Sequence, residues 1–167
     1  MSSSAKNLRP GAGAGEPLDA IDERLLAALV ADARISNKQL AELVGMSASA
    51  CWRRVRALEE SGVLQGYAAR IDPPSAGLAF HAVLHVTLTR HEEAHVETFI
   101  REVGARPEVI ECFATTGEAD YHLRVLCADL DAYNQLLEGF LFRLPGIATV
   151  RTNLVLKEIK RAAGLPL

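Results

Sequence analysis

Hydrophobic positions in the first third of the chain recur at the spacing of short α-helices. One helix is predicted after Asp19, which can cap its first turn, and its apolar face consists of Ile21, Leu25, Ala28 and Leu29. A second is predicted after Ser36, since Ser36 and Gln39 have the spacing of a capping box, and its apolar stripe consists of Leu40, Leu43 and Val44. Gly45 is suited to the left-handed conformation that ends such a helix.

A third helix is predicted after Ser47, about three residues beyond the end of the second. Two short helices joined by so tight a turn cross at a steep angle, which is the geometry of a helix-turn-helix whose second helix can enter the major groove of DNA. At about 100° per residue, the inward positions are Cys51, Val55 and Leu58, and the outward positions are Ser49, Arg53 and Arg56. Arg54 falls at the border and is expected to pair with a carboxylate of the first helix such as Asp22.

The outward cations of this third helix suit a polyanion. Guanidinium groups neutralise phosphates and bond in pairs to the acceptors of guanine, and donors at the amino end of a helix can hold a phosphate. The predicted DNA-binding residues are therefore Ser47, Ser49, Trp52, Arg53 and Arg56. Charge alone is equally compatible with an ordinary solvated face on which Glu59 and Glu60 oppose the arginines. The agreement between packing, caps and turn favours DNA binding.

The second half of the chain follows a different pattern. Alternating apolar residues predict strands over residues 80–89, 109–116, 121–127 and 147–159. Helical spacing predicts one helix through Val96, Phe99, Ile100 and Val103, closed by Gly104, and another, capped by Asp129, that carries Leu130, Tyr133, Leu137 and Phe140. The order βαββαβ predicts a ferredoxin-like sandwich, an α+β fold with two helices on one face of a four-stranded antiparallel sheet.

One face of that sheet is left without helices. Because Val83 and Leu126 place apolar side chains on this side, it is expected to meet the sheet of a second copy. A homodimer also suits the first domain, since two identical reading helices match a pseudo-palindromic DNA site.

The two patterns are separated by an extended segment, 63–71, and by a breaker-rich connection, 72–77. The predicted organisation is a disordered tail over residues 1–17, a helix-turn-helix domain over 18–62, a linker strand and hinge over 63–79, and a ferredoxin-like domain over 80–167.

Composition adds three limits. The formal net charge of the 167 residues is −3, so a polyanion must be attracted by a local patch. The three cysteines, Cys51, Cys112 and Cys127, lie among apolar neighbours in predicted helices or strands and lack C-x-x-C spacing, which predicts reduced core thiols. No apolar run approaches the length of about 18 residues that a membrane span needs, and the first residues do not form a signal sequence, so a cytoplasmic protein is expected.

Together these residues resemble the leucine-responsive/asparagine regulator (Lrp/AsnC) family of bacterial and archaeal transcription factors. The resemblance covers about residues 18–160 and depends on the order and spacing of short motifs, none of them diagnostic alone. The motifs are Leu18-Asp19-x-x-Asp22, Asp32-Ala33-Arg34, Leu40-Ala41, Met46-Ser47, Arg54-Val55-x-x-Leu58-Glu59, Gly62-Val63-Leu64-x-Gly66-Tyr67, Gly117-x-x-Asp120-Tyr121 and Leu144-Pro145-Gly146-Ile147.

The resemblance implies a winged helix-turn-helix domain, a linker strand and a ligand-sensing domain that dimerises through its sheets. It also implies that the dimers assemble into octamers or open helices around which DNA wraps or bends. It also implies an amino-acid effector, bound between dimers near the hairpin loop 117–120, and no other cofactor. Asp120 would pair with the α-ammonium and backbone donors at Gly117 would receive the α-carboxylate, with Leu130, Asn153 and Leu154 lining the side-chain pocket. Without the resemblance, this loop is merely a turn whose glycine permits positive φ.

The function predicted from these features is effector-responsive transcription regulation on double-stranded DNA, in the cytoplasm at the nucleoid. The alternative is an amino-acid sensor that acts through protein partners, with the first domain as a docking module. A gel-shift assay over a salt series separates the two, because counterions compete with a DNA binder.

An enzyme is not expected. Glu118, Asp120, Tyr121 and His122 cluster near one loop, but Tyr121 and His122 should point to opposite faces of a strand, and the sequence has no nucleophile elbow or phosphate loop. Metal binding is a further alternative, because His81 and His85 share a strand face and His91 and His95 could share a helical one. No cysteine or carboxylate completes either set, so no metal ligand is assigned.

Overall fold

The structure is a computed structural model that describes residues 18–89 and 93–160. The described chain divides into two compact units, one ending at Ala69 and the other running from Arg70 to Lys160. The division falls inside the predicted linker, 63–79. The expected tail of residues 1–17 lies outside the described residues.

The first unit is a tri-helical helix-turn-helix. In its described part it contains α1 (Ala20–Ala31), α2 (Asn37–Val44) and α3 (Ala48–Glu60). The caps are those predicted, since Asp19 and Ser47 each accept hydrogen bonds from first-turn backbone N–H groups of α1 and α3. Ser36 and Gln39 form the reciprocal capping box, and Gly45 ends α2 in the left-handed conformation at a φ of 74°.

The three helices enclose one small apolar core. Its buried members are Leu25, Leu29, Leu40, Ala41, Val44 and Cys51. The prediction that Leu43 belongs to this core is wrong, because Leu43 is 55% exposed. The buried side of α2 is centred between Leu40 and Ala41, next to Val44, and a residue at position 43 lies about 100° away from that centre.

The predicted linker, 63–79, contains a single turn of 3₁₀ helix, Pro74–Ala76, and no strand. The predicted extended segment 63–71 therefore has no ladder partner among the described residues. Ladder hydrogen bonds need a second strand edge, so an isolated extended segment cannot form them within one chain.

The second unit has the predicted order βαββαβ. Its elements are β1 (Phe80–Leu88), α4 (Glu93–Gly104), β2 (Val109–Ala114), β3 (Tyr121–Cys127), α5 (Leu130–Gly139) and β4 (Ile147–Leu154). The sheet order is β2-β3-β1-β4, and each neighbouring pair is antiparallel. This arrangement confirms the ferredoxin-like sandwich.

The core of this unit lies between the sheet and the two helices. Its buried side chains include Ala82, Leu84 and Val86 of β1, Leu123 and Val125 of β3, Phe99 and Val103 of α4, and Tyr133 and Leu136 of α5. Leu130, which was expected on the packed face of α5, is 56% exposed instead. It is the first residue of that helix, before the face that packs on the sheet begins.

Two predictions about strands need correction. The last strand ends at Leu154 rather than at Ile159, because β1 begins at Phe80 and offers only one further bond, from the N–H of Val155 to the carbonyl of His81 at 2.9 Å. Cys112 is an exposed thiol rather than a core thiol, since β2 is the outermost strand on its side of the sheet. Cys51 and Cys127 are buried and free, as predicted.

Candidate DNA interface and effector site

The third helix turns its apolar side inward and its arginines outward. Cys51 and Leu58 are 0% and 6% exposed, and Val55 packs on the same core. Arg53 and Arg56 lie on the exposed side of the helix. The 100° spacing of α3 therefore placed these residues correctly from the sequence.

Arg54 links α3 to the start of α1. Its Nη1 lies 2.6 Å from a carboxylate oxygen of Asp19 and 2.9 Å from one of Asp22. Hydrogen bonding from Arg54, aided by the backbone N–H of Asp22, lowers the pKa of Asp19 below its usual value. The expected pairing with Asp22 is confirmed, and the cap residue of α1 joins it, so Arg54 is a structural residue.

Arg56 is the more neutralised of the two outward arginines. It lies 3.7 Å from Glu59 and 3.6 Å from Glu60, and its guanidinium stands 5.8 Å from the ring centroid of Trp52. Exposed ion pairs of this kind contribute little and are easily exchanged. Trp52 is 56% exposed on the flank of the helix, where an aromatic edge is open to a partner.

Arg53 makes no ion pair with any residue in the described ranges 18–89 and 93–160, and it is exposed. Ser47 and Ser49 stand at the amino end of the same helix, with their hydroxyl oxygens 3.3 Å apart. Ser47 caps the helix by accepting from the N–H of Ala50, and its hydroxyl proton can still be donated to an acceptor such as a phosphate oxygen. Arg53 is thus an exposed cation of this helix that need not leave an ion-pair partner in the described chain to bind an external anion.

The sequence reasoning overlooked Lys38. It lies in the first turn of α2 and is exposed. In helix-turn-helix proteins the first helix of the pair crosses the DNA backbone, so a cation at this position is a candidate phosphate contact. The signal was present in the sequence as a lysine directly inside the capping box.

The hairpin loop between β2 and β3 is built around Asp120. One carboxylate oxygen of Asp120 accepts a hydrogen bond from the N–H of Leu88 at 2.8 Å. The backbone N–H of Asp120 donates to the carbonyl of Val86 at 3.0 Å. Gly117 has a φ of 131°, which favours glycine. Asp120 therefore holds the loop against the end of β1, and its second carboxylate oxygen has no hydrogen-bond partner among residues 18–89 and 93–160.

The other candidate effector residues lie at the opposite end of the sheet. Asn153 is paired with Val83 and Leu154 with Ala82, whereas Asp120 bonds to Leu88. Five residues along a strand span about 17 Å. The structure consequently does not bring the five candidate residues together within one chain.

Asn153 and Leu154 also differ in the face they present. As consecutive strand residues they leave opposite sides of the sheet. The amide of Asn153 lies 3.0 Å from a ring nitrogen of His85, on the side without helices. Leu154 and Leu130 are 53% and 56% exposed, and Leu154 shares the sheet side of the core residue Ala82.

The sheet side without helices is called the bare face here. The strand registers assign to it His81, Val83, His85 and Thr87 of β1, Glu111 and Phe113 of β2, His122, Arg124 and Leu126 of β3, and Thr149, Arg151 and Asn153 of β4. Val83 and Leu126 are on it as expected, but most of its other side chains are polar or ionisable. An antiparallel sheet exposed on one side has this composition.

A cavity of about 300 Å³ opens on the bare face beside the hairpin loop. It is lined by His85, Thr87, Thr116, Glu118, Ala119, His122, Thr149 and Arg151. Glu118 and Arg151 form an ion pair across it at 3.0 Å. Sequence reasoning missed this grouping, because it depends on the register of three strands.

The catalytic and metal alternatives gain little from these positions. Tyr121 packs against Phe99 in the core, at 4.7 Å between ring centroids, while His122 faces His85 on the other side of the sheet. His81 and His85 share a face, as predicted. Within the described residues, no three side chains of the His, Cys, Asp and Glu types are grouped to hold a metal, and His91 lies outside them.

Two protein families match the chain in succession. Residues 18–65 match a winged helix-turn-helix DNA-binding family, and residues 81–165 match the Lrp/AsnC ligand binding domain. No described helix combines the length and the apolar character needed to cross a membrane.

Relatives align over almost the whole chain. The leucine-responsive regulatory proteins of Escherichia coli K12 and Salmonella typhimurium are each 38% identical to it over 148 residues, which is 89% of this chain and 90% of theirs. Among solved structures, the transcriptional regulator NMB0573 of Neisseria meningitidis, in complex with L-Met, aligns with a TM-score of 0.86 at 35% identity over 90% of this chain and 97% of that one. An AsnC family transcriptional regulator of Agrobacterium tumefaciens aligns with a TM-score of 0.84 at 29% identity, over 89% of this chain and 97% of that one.

Proposed function

Since the chain belongs to the Lrp/AsnC family of DNA-binding transcriptional regulators, we propose that it regulates transcription in response to an amino acid and works as a homodimer that assembles further. The observation that carries the DNA-binding part is the outward position of Arg53 on α3, with no ion pair to any described residue. A guanidinium free of internal partners can bond to a phosphate or to the paired acceptors of guanine without first losing a contact.

The proposed DNA contacts are Ser47, Ser49, Trp52, Arg53 and Arg56, and Lys38 is added to them. Arg53 is assigned to base edges in the major groove, and Lys38 to the phosphate backbone. Arg56 would exchange its long contacts with Glu59 and Glu60 for a phosphate, because exposed pairs at 3.6–3.7 Å are weak.

The proposed effector is an amino acid held at the hairpin loop, where the free carboxylate oxygen of Asp120 would receive the α-ammonium and backbone donors at Gly117 the α-carboxylate. The complex of a similar regulator with L-Met supports this ligand class. Because Leu130, Asn153 and Leu154 lie at the other end of the sheet, they could complete the pocket only if a second subunit supplies them. The site is therefore proposed to form between subunits, with no other cofactor.

The bare face is the proposed dimer interface. Val83 is half-buried there and Phe113 of the edge strand is 51% exposed, so a facing sheet would cover apolar surface at these two residues, whereas Leu126, at 9% exposed, is already buried within the chain. The unpaired segment 63–71 leaves a second edge that another copy could complete. Assembly of such dimers into an octamer, as the family resemblance implies, is part of this proposal.

DNA binding is tested with duplexes selected from a randomised pool, by fluorescence anisotropy between about 50 and 200 mM salt. The wild type should lose affinity steeply over this range, and Arg53→Ala combined with Arg56→Ala should weaken binding about 10-fold or more at each salt concentration. Arg101→Ala is the matched control, since Arg101 is an exposed arginine that pairs with Glu102 on α4. Equal binding by the double variant and the control would reject the assignment of α3.

The shared effector site is tested by mixing two variants that each damage one half of it. Asp120→Asn and Leu154→Asp should each abolish the change in DNA affinity that an amino acid causes in the wild type. After the two are co-refolded, mixed assemblies contain some intact sites, so part of the response should return. Asp120→Asn refolded alone is the control. No recovery in the mixture would place the effector within a single chain.

A further inference from the structure

Two histidines of the bare face, His81 and His85, have a donor group placed against Nε2 of the ring. The guanidinium Nε of Arg124 donates to Nε2 of His81 at 2.8 Å, and the amide nitrogen of Asn153 lies 3.0 Å from Nε2 of His85. Arginine and an amide nitrogen are donors only, and an imidazole nitrogen accepts only when it carries no proton. Protonation of His81 would set two positive groups against each other, and protonation of His85 would force the Asn153 amide to turn.

A third imidazole lies directly across the strand ladder. His122 is the register partner of His85, with ring centroids 4.6 Å apart and planes at 80°. On the other side of His85 its register partner is Arg151. If both imidazoles gained a proton, three neighbouring strands would carry three adjacent positive charges, and like charges directly opposite each other destabilise a sheet.

The carboxylates near these imidazoles form ion pairs with arginines. Glu118 of the hairpin, which lines the cavity with His85 and His122, is paired with Arg151 at 3.0 Å. Glu111 of β2 lies 3.8 Å from Arg124, and Glu158 of the segment after β4 also binds Arg124. From β2, the residue that faces His122 is Phe113, which carries no charge. With two arginines and three carboxylates, the net charge of this group is slightly negative when the three imidazoles are neutral. It becomes positive when all three imidazoles are protonated.

We propose that pairing of the bare face with that of a second copy is switched by protonation of His81, His85 and His122. This inference depends on the proposed homodimer. In an isologous pair, each copy brings the same groups to the interface, so every positive charge gained by one face is gained by the other. Burying the charged imidazoles against that face would also remove them from water.

The direction follows from proton linkage. The separated chains bind protons on these imidazoles more readily than the dimer does, so lowering the pH favours the separated chains. Imidazoles titrate between about pH 5 and pH 8, and the dimer should therefore be tight at the upper end of this range and weak at the lower end.

The experiment is analytical ultracentrifugation of the full chain at pH values from about 8 to about 5.5, with circular dichroism at each pH. The dimer dissociation constant of the wild type should rise about tenfold or more across this range while the helix signal stays constant. His85→Gln combined with His122→Gln keeps hydrogen-bonding capacity without a titrating ring, and its dissociation constant should rise much less. His95→Gln, on α4 next to Gly146, is the matched control and should behave as the wild type.

A second variant tests the proposal without acid. His85→Lys combined with His122→Lys places fixed positive charges on the face and should be monomeric at about pH 8. A variant that dimerises as tightly as the wild type at this pH would overturn the proton switch, as would equal pH responses of the wild type and the glutamine variant. A wild type that is monomeric at every pH would instead reject the proposed homodimer.

Discussion

The guanidinium of Arg54 lies 2.6 Å from the carboxylate of Asp19, the residue that caps α1. This contact joins the end of one helix to the middle of another across 35 positions of the chain. Its neighbour Arg53, by contrast, makes no ion pair with a described residue. Two adjacent arginines of one helix therefore have different surroundings.

The first prediction compares these two arginines. Arg54→Ala removes the link to Asp19 and Asp22 and should lower the Tm of the chain by a few degrees. Arg53→Ala should leave the Tm unchanged and weaken binding to the selected duplex about 5- to 100-fold, which corresponds to about 1–3 kcal/mol. Thermal melts and anisotropy titrations on both variants check the contrast. A loss of Tm in Arg53→Ala together with a loss of DNA affinity in Arg54→Ala would contradict this assignment of the two arginines.

The second prediction concerns acid. The hydrogen bond from Arg54, followed by that from the Asp22 N–H, lowers the pKa of Asp19 in the folded chain. The stability that Asp19 contributes is therefore fully present above the pKa of an unfolded aspartate, about 4, and is lost as the pH falls through the lower pKa of the folded chain. Asp19→Asn keeps a capping side chain without the titrating group. The Tm of the wild type should fall more steeply than that of the variant below about pH 4. Parallel curves would show that Asp19 does not titrate differently in the folded chain.

The third prediction separates the two roles of Asp120. Asp120→Asn retains an oxygen that can accept from Leu88, so the hairpin should survive, but the charge for an α-ammonium is lost. Asp120→Ala loses the hydrogen bond as well and should reduce the free energy of unfolding by about 1 kcal/mol. A thermal-shift screen against the twenty amino acids should find a stabilising ligand for the wild type and none for Asp120→Asn. An unchanged ligand shift in the asparagine variant would move the effector away from this loop.

The fourth prediction tests the turn of the helix-turn-helix. Gly45 has a φ of 74°, and a side chain added there would meet no atom within 4 Å, so the penalty for Gly45→Ala arises from the backbone alone. The free energy of unfolding in urea should fall by about 1–2 kcal/mol. Gly45→Asn, which tolerates this conformation better, should lose less. Equal losses in the two variants would contradict a backbone cause.

Local patterns were sufficient for most of the fold. Caps and helical or strand periodicity depend on residues that are only a few positions apart. The structure contains the features predicted in this way, which are the caps at Asp19, Ser36 and Ser47, the inward-facing residues of α3 and the order βαββαβ. The misplaced positions were of another kind. Leu43 lies on the side of α2 turned away from the core, while Leu130 at the start of α5 and Cys112 on the outermost strand lie where no neighbouring element covers them.

The amino-acid sequence by itself determined the helices, the four strands of the sheet apart from the end of β4, their order along the chain and the outward side of α3, because each depends on short-range periodicity and on capping. Only the tertiary structure decided that Arg54 forms an ion pair with Asp19 and that His85 lies opposite His122 and Arg151 on the neighbouring strands. It also decided that Asp120 lies at the far end of the sheet from Asn153. The physical reason is that these relationships depend on strand register and on how helices cross. Both are set by the packing of side chains that are distant along the chain, so no local pattern records them.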